Sequence, residues 1–403
     1  MKVTIIGGGA AGFFASFRVK ELHPDADVHI LERGNQFLAK VRISGGGRCN
    51  VTHACFERAK LLANYPRGAK FLKEAFMQWM PQDMVQWLET RGVAIKTEAD
   101  GRMFPKTDSS ETIISCFLDE AQILGIQLHT HQNIASIEAI PDMGFSLTTH
   151  KDEVWHTDYL IVATGGSPSQ NGMTYLQALG LETVAPVPSL FTFNLKDGEI
   201  ALLAGISVPN VRVKIVGSKL QQIGDILITH WGLSGPAVLK LSAWVARELA
   251  DLNYQYKVQV NWIPQYSEEQ LREILFEYRK SSKKQIGNQA IDLPKRLWYY
   301  LLQKAQINPD EHWQEMKNNE LNRLINTLQN DVYEAQGKTT YKDEFVTAGG
   351  VALSEIDSKT MQVKKIPRLF LAGEVLDIDA VTGGFNFQAA WATGYLAGSS
   401  LTK

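Results

Sequence analysis

The chain has 403 residues, 44% of them hydrophobic and 21% charged, which is enough apolar material for about two or three domains with sizeable cores. Its formal net charge of −2 argues against a generally basic surface for nucleic acid. The sparse cysteines lack repeated C-x-x-C spacing, which argues against a disulfide scaffold or a zinc site. We therefore expect a cytoplasmic protein without a signal peptide, a membrane segment, a bound metal or a nucleic-acid partner.

The N-terminus follows the order strand, glycine turn, helix, strand and acid. The apolar run Val3-Thr4-Ile5-Ile6 is typical of a buried parallel strand, and Gly7-x-Gly9-x-x-Gly12 follows it directly. The helix-compatible segment Ala10–Leu22 leads to a second strand pattern, Val28–Leu31, which ends at Glu32. Such glycines permit a tight turn, close approach of backbone N–H groups to a pyrophosphate, and close helix–strand packing. The pattern predicts a dinucleotide site in which Glu32 accepts hydrogen bonds from ribose hydroxyls.

The α/β pattern continues to about residue 190. Helices are predicted at 68–92, divided by Pro81, and at Ser110–Leu124. Strand patterns follow at Gln127–His131, Ile134–Ile140, Phe145–His150 and Tyr159–Ala163, and the last of these runs into Thr164-Gly165-Gly166.

The pattern changes at about residue 191, where short strands begin, and residues 267–335 have a strongly helical composition. An α/β pattern returns at Val351 and becomes clear at Leu369–Ala372, a buried strand that ends at Gly373-Glu374. We therefore predict a discontinuous domain, 1–190 with 344–403, interrupted by an insert at 191–343 that has a β part (191–265) and a helical part (266–343).

Three glycine-bearing segments follow predicted buried strands: Gly7–Gly12, Thr164–Gly166 and Gly373-Glu374. Because ligands of open α/β sheets bind outside the carboxyl ends of the strands, these segments should converge on one edge of the sheet. A nicotinamide cofactor would explain the first segment alone, whereas a ligand that touches all three must be as long as FAD. Gly384, Phe385 and Asn386 would begin the last helix, whose positive N-terminal end favours the negative charge of a reduced flavin.

Several longer motifs resemble those of a known family. They are Ile5–Gly12, Lys40–Asn50, Gly101–Pro105, Thr229–Pro236, Thr347–Val351, and Ala372–Glu374 with Gly383–Gln388. Over nearly its whole length the chain resembles a bacterial family of FAD-dependent oxidoreductases that includes aminoacetone oxidase and the flavin reductase of bile-acid dehydroxylation. The resemblance implies a Rossmann-like FAD-binding domain interrupted by an insert made of a small β-barrel and a helical subdomain.

The resemblance also implies which residues hold the cofactor. Glu32 would bind the adenosine ribose, Ala135 would lie near the adenine, and Glu374 would meet the ribityl–phosphate portion. The full expected set is Gly7, Gly9, Ala10, Ala11, Gly12, Glu32, Arg33, Lys40, Ser44, Gly45, Gly46, Arg48, Cys49, Asn50, Ala135, Thr164, Gly165, Gly373, Glu374, Asp377, Gly384, Phe385, Asn386 and Gln388. Because the segment Ser167–Met173 departs from many relatives, the resemblance does not carry the substrate over.

No catalytic residue is assigned from the sequence. Arg48 could lower the pKa of the adjacent Cys49 and make it a redox partner of the flavin, but flavin-disulfide enzymes place two cysteines close together, so a packing role is favoured. His230 could be a general acid, although a structural role in capping a turn is favoured. For Arg42 and Arg48 we expect a positioning role toward the pyrophosphate or an anionic substrate.

The predicted function is an FAD-dependent oxidoreductase that transfers two electrons between a small organic substrate and either NAD(P)H or O2. NAD(P)H would be a transient co-substrate, because no second strand–glycine–helix unit for nicotinamide is visible. The alternative is a flavin-containing binding protein whose insert recognises RNA or a protein partner through the run Lys280–Lys284. Without interleaved aromatic residues, this run is better explained as a solvated helix end. The oligomeric state stays open.

Overall fold

The computed structural model describes residues 1–167, 170–339 and 346–401. The chain divides into two compact units, the first made of Met1–Ser189 with Tyr341–Lys403 and the second of Leu190–Thr340. Each unit has its own sheets and its own hydrophobic core. No helix in the three described ranges is both long enough and apolar enough to cross a lipid bilayer.

The elements before the second unit are β1 (Lys2–Ile6), α1 (Ala10–Leu22), β2 (Asp27–Leu31), α2 (Ala39–Gly47), β3 (Thr52–His53), α3 (Arg58–Leu62), α4 (Leu72–Gln78), α5 (Pro81–Glu89), β4 (Ile95–Thr97), β5 (Arg102–Pro105), α6 (Ser110–Ile123), β6 (Gln127–His129), β7 (Ile134–Ile140), β8 (Gly144–Thr149), β9 (Val154–Thr157), β10 (Tyr159–Val162), α7 (Thr174–Ala178) and β11 (Thr183–Ser189). The second unit contains β12 (Thr192–Leu195), β13 (Ser207–Ile215), β14 (Gln221–Thr229), β15 (Gly232–Ser234), α8 (Pro236–Trp244), α9 (Ala246–Asp251), β16 (Gln255–Asn261), α10 (Glu268–Ser281), α11 (Lys295–Lys304), α12 (Asn318–Gln329) and β17 (Asp331–Thr339). The chain then returns to the first unit with β18 (Val346–Val351), β19 (Leu369–Leu371) and α13 (Phe385–Ser399).

A five-stranded parallel sheet with the order β19-β10-β1-β2-β6 forms the centre of the first unit. Ile5 on β1 pairs with Ile161 on β10 and with Ile30 on β2, and Ile161 in turn pairs with Phe370 on β19. All four residues of β10 are buried, because elements cover both faces of the sheet, as in other parallel sheets. The antiparallel sheet β7-β8-β9 contacts it through β8 and β9.

Helices α1 and α13 pack against each other through small residues. A Cβ atom on Gly394 would lie 2.5 Å from the backbone O of Ala11, and one on Gly398 would lie 2.5 Å from the O of Ala15. Both glycines therefore permit an approach that alanine would prevent. Next to this contact lies an aromatic core, in which the rings of Phe14, Phe17, Trp87, Phe117 and Trp391 are buried.

The second unit is built on a closed barrel with the order β12-β15-β14-β13-β16-β17. Helix α8 packs on β13 and β14, while α10, α11 and α12 form a helical part around Trp298 and Trp313. Thus the fold class, α/β with a Rossmann-like sheet, a small barrel and a helical subdomain, is confirmed. The strands at the two ends of this unit, β12 and β17, are antiparallel neighbours.

Two details of the second unit differ from the sequence-based prediction. Helices α8 and α9 lie in the range predicted to be β, and the last part of the range predicted to be helical, Asp331–Thr339, is a strand of the barrel. In β17 the residues Asp331, Tyr333 and Ala335 point inward. Because the first of these inward residues is a carboxylate, the sequence does not show the alternation of apolar and polar residues that is typical of a strand. Asp331 is satisfied by Trp262 Nε1 at 2.9 Å, by the Tyr333 hydroxyl, and by Lys304 Nζ at 2.6 Å.

Candidate cofactor-binding site

The three glycine-bearing segments meet at the carboxyl ends of β1, β10 and β19. A Cβ on Gly7 would overlap the backbone O of Ala163, one on Gly373 would lie 2.9 Å from Ala11 Cβ, and one on Gly166 would lie 3.6 Å from Glu374 Oε2. Since the crossovers from β1 and β10 lead to opposite halves of the sheet, this edge is also its topological switch point. The convergence predicted from the glycine pattern is present in the fold.

The first glycine turn has the properties of a phosphate site. Gly7 has φ +110, and a Cβ on Gly12 would overlap the carbonyl O of Gly7, whereas a Cβ on Gly9 would meet nothing within 4 Å. Helix α1 begins at Ala10 with no side-chain cap and no acidic residue in its first turn. Its free N–H groups and positive end therefore remain available to an anion.

Glu32 faces this turn from the end of β2. Its Oε2 accepts a hydrogen bond from Gly8 N at 2.9 Å, and its Oε1 accepts one from Gly34 N at 2.7 Å. It borders a cavity of about 430 Å3, a usual size for a ligand site. The cavity is lined by the predicted residues Gly7, Glu32, Arg33, Ala135, Thr164 and Gly165, and also by Gln132, Asn133, His150 and Tyr175.

Tyr175 and His150 also line this cavity, although the sequence does not predict them as residues of the candidate site. The Tyr175 hydroxyl donates to Thr164 Oγ1 at 3.4 Å, and burial raises the pKa of this phenol. Tyr175 comes from α7, and His150 directly follows β8. Neither belongs to a motif, so only the path of the chain brings them to the end of β10.

The middle of the site joins residues that are far apart in the sequence. Lys40 Nζ lies 2.7 Å from Glu374 Oε2, across 334 positions of the chain. The helical turns of α2 break at Ser44, and Gly45 and Gly46 then adopt left-handed conformations. A Cβ on Gly46 would meet nothing within 4 Å, so the loop leaves open space along its backbone.

The start of α13 forms the far end of the site. Gly384 has φ +91, and a Cβ there would lie 2.5 Å from the backbone O of Thr52. With its amide oriented to satisfy its neighbours, Asn50 accepts a hydrogen bond from Gly384 N at 3.0 Å. The ring of Phe385 stacks on His53 with a centroid distance of 4.6 Å. Like α1, this helix has no side-chain cap and no acid in its first turn.

The amide side chains of Asn386 and Gln388 are engaged by the protein itself. Asn386 Oδ1 accepts from Ala380 N at 2.9 Å, and its Nδ2 donates to Ala380 O at 3.2 Å. Gln388 Oε1 accepts from the Thr52 hydroxyl at 2.7 Å, and its Nε2 donates to Trp79 O at 3.2 Å. These amides therefore fix the helix start, which leaves backbone N–H groups rather than side chains for a ligand.

A buried ion pair holds the segment before α13. Arg67 contacts both carboxylate oxygens of Asp379, which is fully buried, and the Ser189 hydroxyl donates to the same carboxylate at 2.8 Å. Burial raises the pKa of Asp379, and the Arg67 guanidinium opposes that effect. The predicted site residue Asp377 lies beside this pair, and its N donates to Val351 O at 3.0 Å.

The structure agrees with the packing role favoured for Cys49 and not with its activation by Arg48. Cys49 is fully buried, and burial raises the pKa of its thiol to about 12. Arg48 instead pairs with Glu98 at 2.7 Å and lies over the Phe104 ring, and Arg42 pairs with Glu111. Cys49 is thus a packed residue of the loop, and both guanidiniums are bound to carboxylates.

We expect the alkylation rates of the three cysteines to follow the exposure of each side chain and the pKa of its thiol. In the native protein near neutral pH, iodoacetamide should modify the partly exposed Cys55 first, then Cys116, whose pKa is raised to about 11 by burial, and Cys49 last. Peptide mass spectrometry over time measures the three rates, and the denatured chain should lose the order. Rapid native labelling of Cys49 would contradict its burial as a neutral thiol.

In the second unit, His230 lies exposed in the turn between β14 and β15, next to Trp231, which is 38% exposed. The backbone of this turn is held by Leu195 N, which donates to Trp231 O at 2.9 Å. The His230 ring makes no hydrogen bond to another described residue. Among the described residues it therefore does not cap the turn, and this prediction is wrong.

Comparison with known proteins decides the family. The model of the HI0933-like protein Rossmann domain matches residues 1–400. The chain belongs to this family. The HI0933-like family is one of FAD-dependent oxidoreductases, so the resemblance seen in the motifs is confirmed.

Relatives of this HI0933-like chain carry different names. It is 31% identical over 409 residues to the ribosomal RNA dihydrouridine synthase of Escherichia coli (strain K12), covering 98% of this chain and 97% of the relative. It is 25% identical over 413 residues to the 3-dehydro-bile acid delta(4,6)-reductase of Clostridium scindens, covering 100% and 99%. The crystal structure of 3-ketosteroid-delta4-(5alpha)-dehydrogenase from Rhodococcus jostii RHA1 matches with a TM-score of 0.52 at 14% identity, covering 99% of this chain and 96% of that one, and supports the fold. The name of the first relative conflicts with the expectation that nucleic acid is not a partner.

Proposed function

We propose that this chain is an FAD-dependent reductase that saturates a carbon–carbon double bond conjugated with a carbonyl group, and that its substrate is uracil within RNA. The similarity that carries this proposal is the 31% identity to a ribosomal RNA dihydrouridine synthase along 98% of the chain. Dihydrouridine is uridine with its ring double bond reduced, and that bond is conjugated with a ring carbonyl. The bile-acid relative is named for reduction of double bonds conjugated with a 3-oxo group. Both names therefore describe one kind of chemistry.

We propose that the described site holds FAD in an extended conformation. The turn around Gly9 and the N-terminus of α1 would bind the pyrophosphate, Glu32 the adenosine ribose, and the cavity beside Ala135 the adenine. This fit is supported by the open space at Gly9 and Gly46 and by two helix N-termini free of acids. When bound, FAD supplies a two-electron redox centre.

The chain's own contribution at the flavin end would be orientation and charge. The start of α13 presents backbone N–H groups and a partial positive charge, which stabilise negative charge close to the helix end. Asn386 and Gln388 hold that helix start in place through their bonds to Ala380, Thr52 and Trp79. They would therefore act as positioning residues.

A reduction needs an electron donor, and we propose NAD(P)H in this role rather than an oxidase reaction with O2. The reductive names of both relatives support this choice. NAD(P)H would bind only transiently, because the dinucleotide motif at Gly7–Gly12 is assigned to FAD.

The test combines a spectrum with a product analysis. Under anaerobic conditions, NADH or NADPH should bleach the flavin absorbance of the purified protein. Addition of unmodified transcribed ribosomal RNA should then restore the absorbance and form dihydrouridine, seen by mass spectrometry as the addition of two hydrogen atoms. Failure to form dihydrouridine even after chemical reduction of the flavin would contradict the RNA substrate.

A small conjugated ketone is the second candidate substrate, supported by the bile-acid relative that matches 100% of this chain. A parallel reaction with a steroid 4-en-3-one in place of RNA separates the two. Reoxidation by the steroid alone would favour this second function.

A further inference from the structure

The connection between α10 and α11 in the second unit, together with the adjoining helix ends, forms a cationic segment. Among residues 279–296, six are basic and only Asp292 is acidic. The basic residues are Arg279, Lys280, Lys283, Lys284, Lys295 and Arg296. Five of them are exposed, and none forms an ion pair with another described residue. Arg279 donates to Asn318 Oδ1 at 2.7 Å and Arg296 to Leu202 O at 2.6 Å, so both are held by neutral acceptors. A concentration of positive charge that no carboxylate neutralises attracts a polyanion.

The fold adds an aromatic side chain to this segment. The Tyr299 hydroxyl would lie 2.8 Å from a Cβ on Gly287, which belongs to the short turn that follows Lys284. Lys295 Nζ lies 5.6 Å from the centre of the Tyr299 ring. The lysine run itself contains no aromatic residue, but in the folded chain α11 places Tyr299 beside the turn that follows the run.

Tyr299 also lines an open groove of about 840 Å3 along α11. Lys295, Arg296, Gln303 and Gln306 line it on the α11 side, and the 76%-exposed Leu202 lines it on the other. Glu199, also exposed, stands at the same groove. The groove thus offers an aromatic face for stacking, amides for base edges and cations for phosphates, which is the combination used to bind single-stranded nucleic acid.

We infer that this groove, with the cationic segment 279–296, binds a single-stranded stretch of the substrate RNA. The inference rests on the proposed function, which supplies RNA as the substrate. The cations would contact phosphates without reading sequence, and Tyr299 would stack on a base.

The experiment measures RNA affinity separately from reduction. In the FAD-loaded protein, Lys283→Glu, Lys284→Glu and Lys295→Glu together should weaken binding of a single-stranded RNA at least tenfold. They should also lower the slope of log affinity against log salt by about 2, because each phosphate contact on a single strand contributes about 0.7. Tyr299→Ala should weaken binding by about five- to a hundredfold with the salt slope unchanged, as expected for a lost stacking contact.

A matched triple charge reversal in the first unit, Lys70→Glu, Lys73→Glu and Lys106→Glu, is the control, since these lysines are also exposed. It should bind RNA like the unmodified protein. Flavin content, melting temperature and bleaching by NAD(P)H should be unchanged in every variant.

The outcomes separate this inference from the proposed function. If the triple variant of the groove binds RNA as tightly as the unmodified protein and forms dihydrouridine equally well, the groove is not the RNA site although the function stands. If the unmodified protein neither binds RNA nor forms dihydrouridine, the proposed substrate is wrong and the inference falls with it. Loss of RNA binding with intact flavin reduction supports both.

Discussion

Alanine at Gly9 should leave the fold intact and weaken FAD binding, whereas alanine at Gly12 should damage the fold itself. Gly9 has φ −98 and ψ −167, which alanine adopts readily, and its Cβ would enter open space. That space is where we place the pyrophosphate, so Gly9→Ala should weaken FAD binding at least about tenfold, or about 1.4 kcal/mol. At Gly12 the added Cβ would overlap the Gly7 carbonyl and cost about 3 kcal/mol or more.

The two variants are compared as apoproteins and after titration with FAD. Gly12→Ala should lower the melting temperature of the apoprotein by about 6 °C or more, while Gly9→Ala should leave it unchanged. Gly198→Ala is the control, because a Cβ at Gly198 also meets nothing within 4 Å but lies in the second unit. Retention of FAD by Gly9→Ala at the unmodified level would contradict the placement of the pyrophosphate.

Removal of the charge at Asp379 should be the most damaging single change in the segment that leads to α13. Asp379→Asn leaves the Arg67 guanidinium, which is 14% exposed, without its buried partner and should cost about 3–5 kcal/mol. Because this pair anchors the chain just before Gly384, the variant should also release FAD more readily. Thermal unfolding and flavin content after gel filtration measure the two effects.

Two comparisons make the Asp379 result specific. The double variant Arg67→Met, Asp379→Leu removes both charges and should recover part of the lost stability, since no buried charge stays unpaired. Glu57→Gln breaks the exposed pair with Lys60 and should change stability by less than about 0.5 kcal/mol. An Asp379→Asn protein as stable as the unmodified one would show that the pair does not hold this segment.

The sequence predicted the elements whose signals are local. Helix α1 has the predicted bounds Ala10–Leu22, and the strands β1, β10 and β19 appear as mainly apolar runs followed by glycine-bearing segments. Strand β17 was missed because its first inward residue is Asp331, whose partners Trp262 and Lys304 come from other parts of the chain. Helix α8 did have a local signal, proline at its first position after Gly235.

The same distinction applies to the candidate site. Its glycines could be predicted because turns and close approaches require that residue type, and Gly7 and Gly384 have positive φ values. Tyr175 could not, since no pattern shows that α7 lies at the end of β10. The contacts of individual residues with FAD stay predictions, and for Asn386 and Gln388 the side-chain bonds to the protein favour an indirect role.

The pairing of β11 with β18 determines where along the first unit the chain of the second unit is inserted. Ser189 and Val346 face each other in this antiparallel pair. The chain therefore leaves this two-stranded sheet at Ser189 and returns to it at the position directly opposite. The second unit likewise starts and finishes on the adjacent strands β12 and β17. In topological terms the barrel and its helices occupy the place of an ordinary hairpin turn. A chain with a short loop in that place would still contain every strand of the five-stranded parallel sheet.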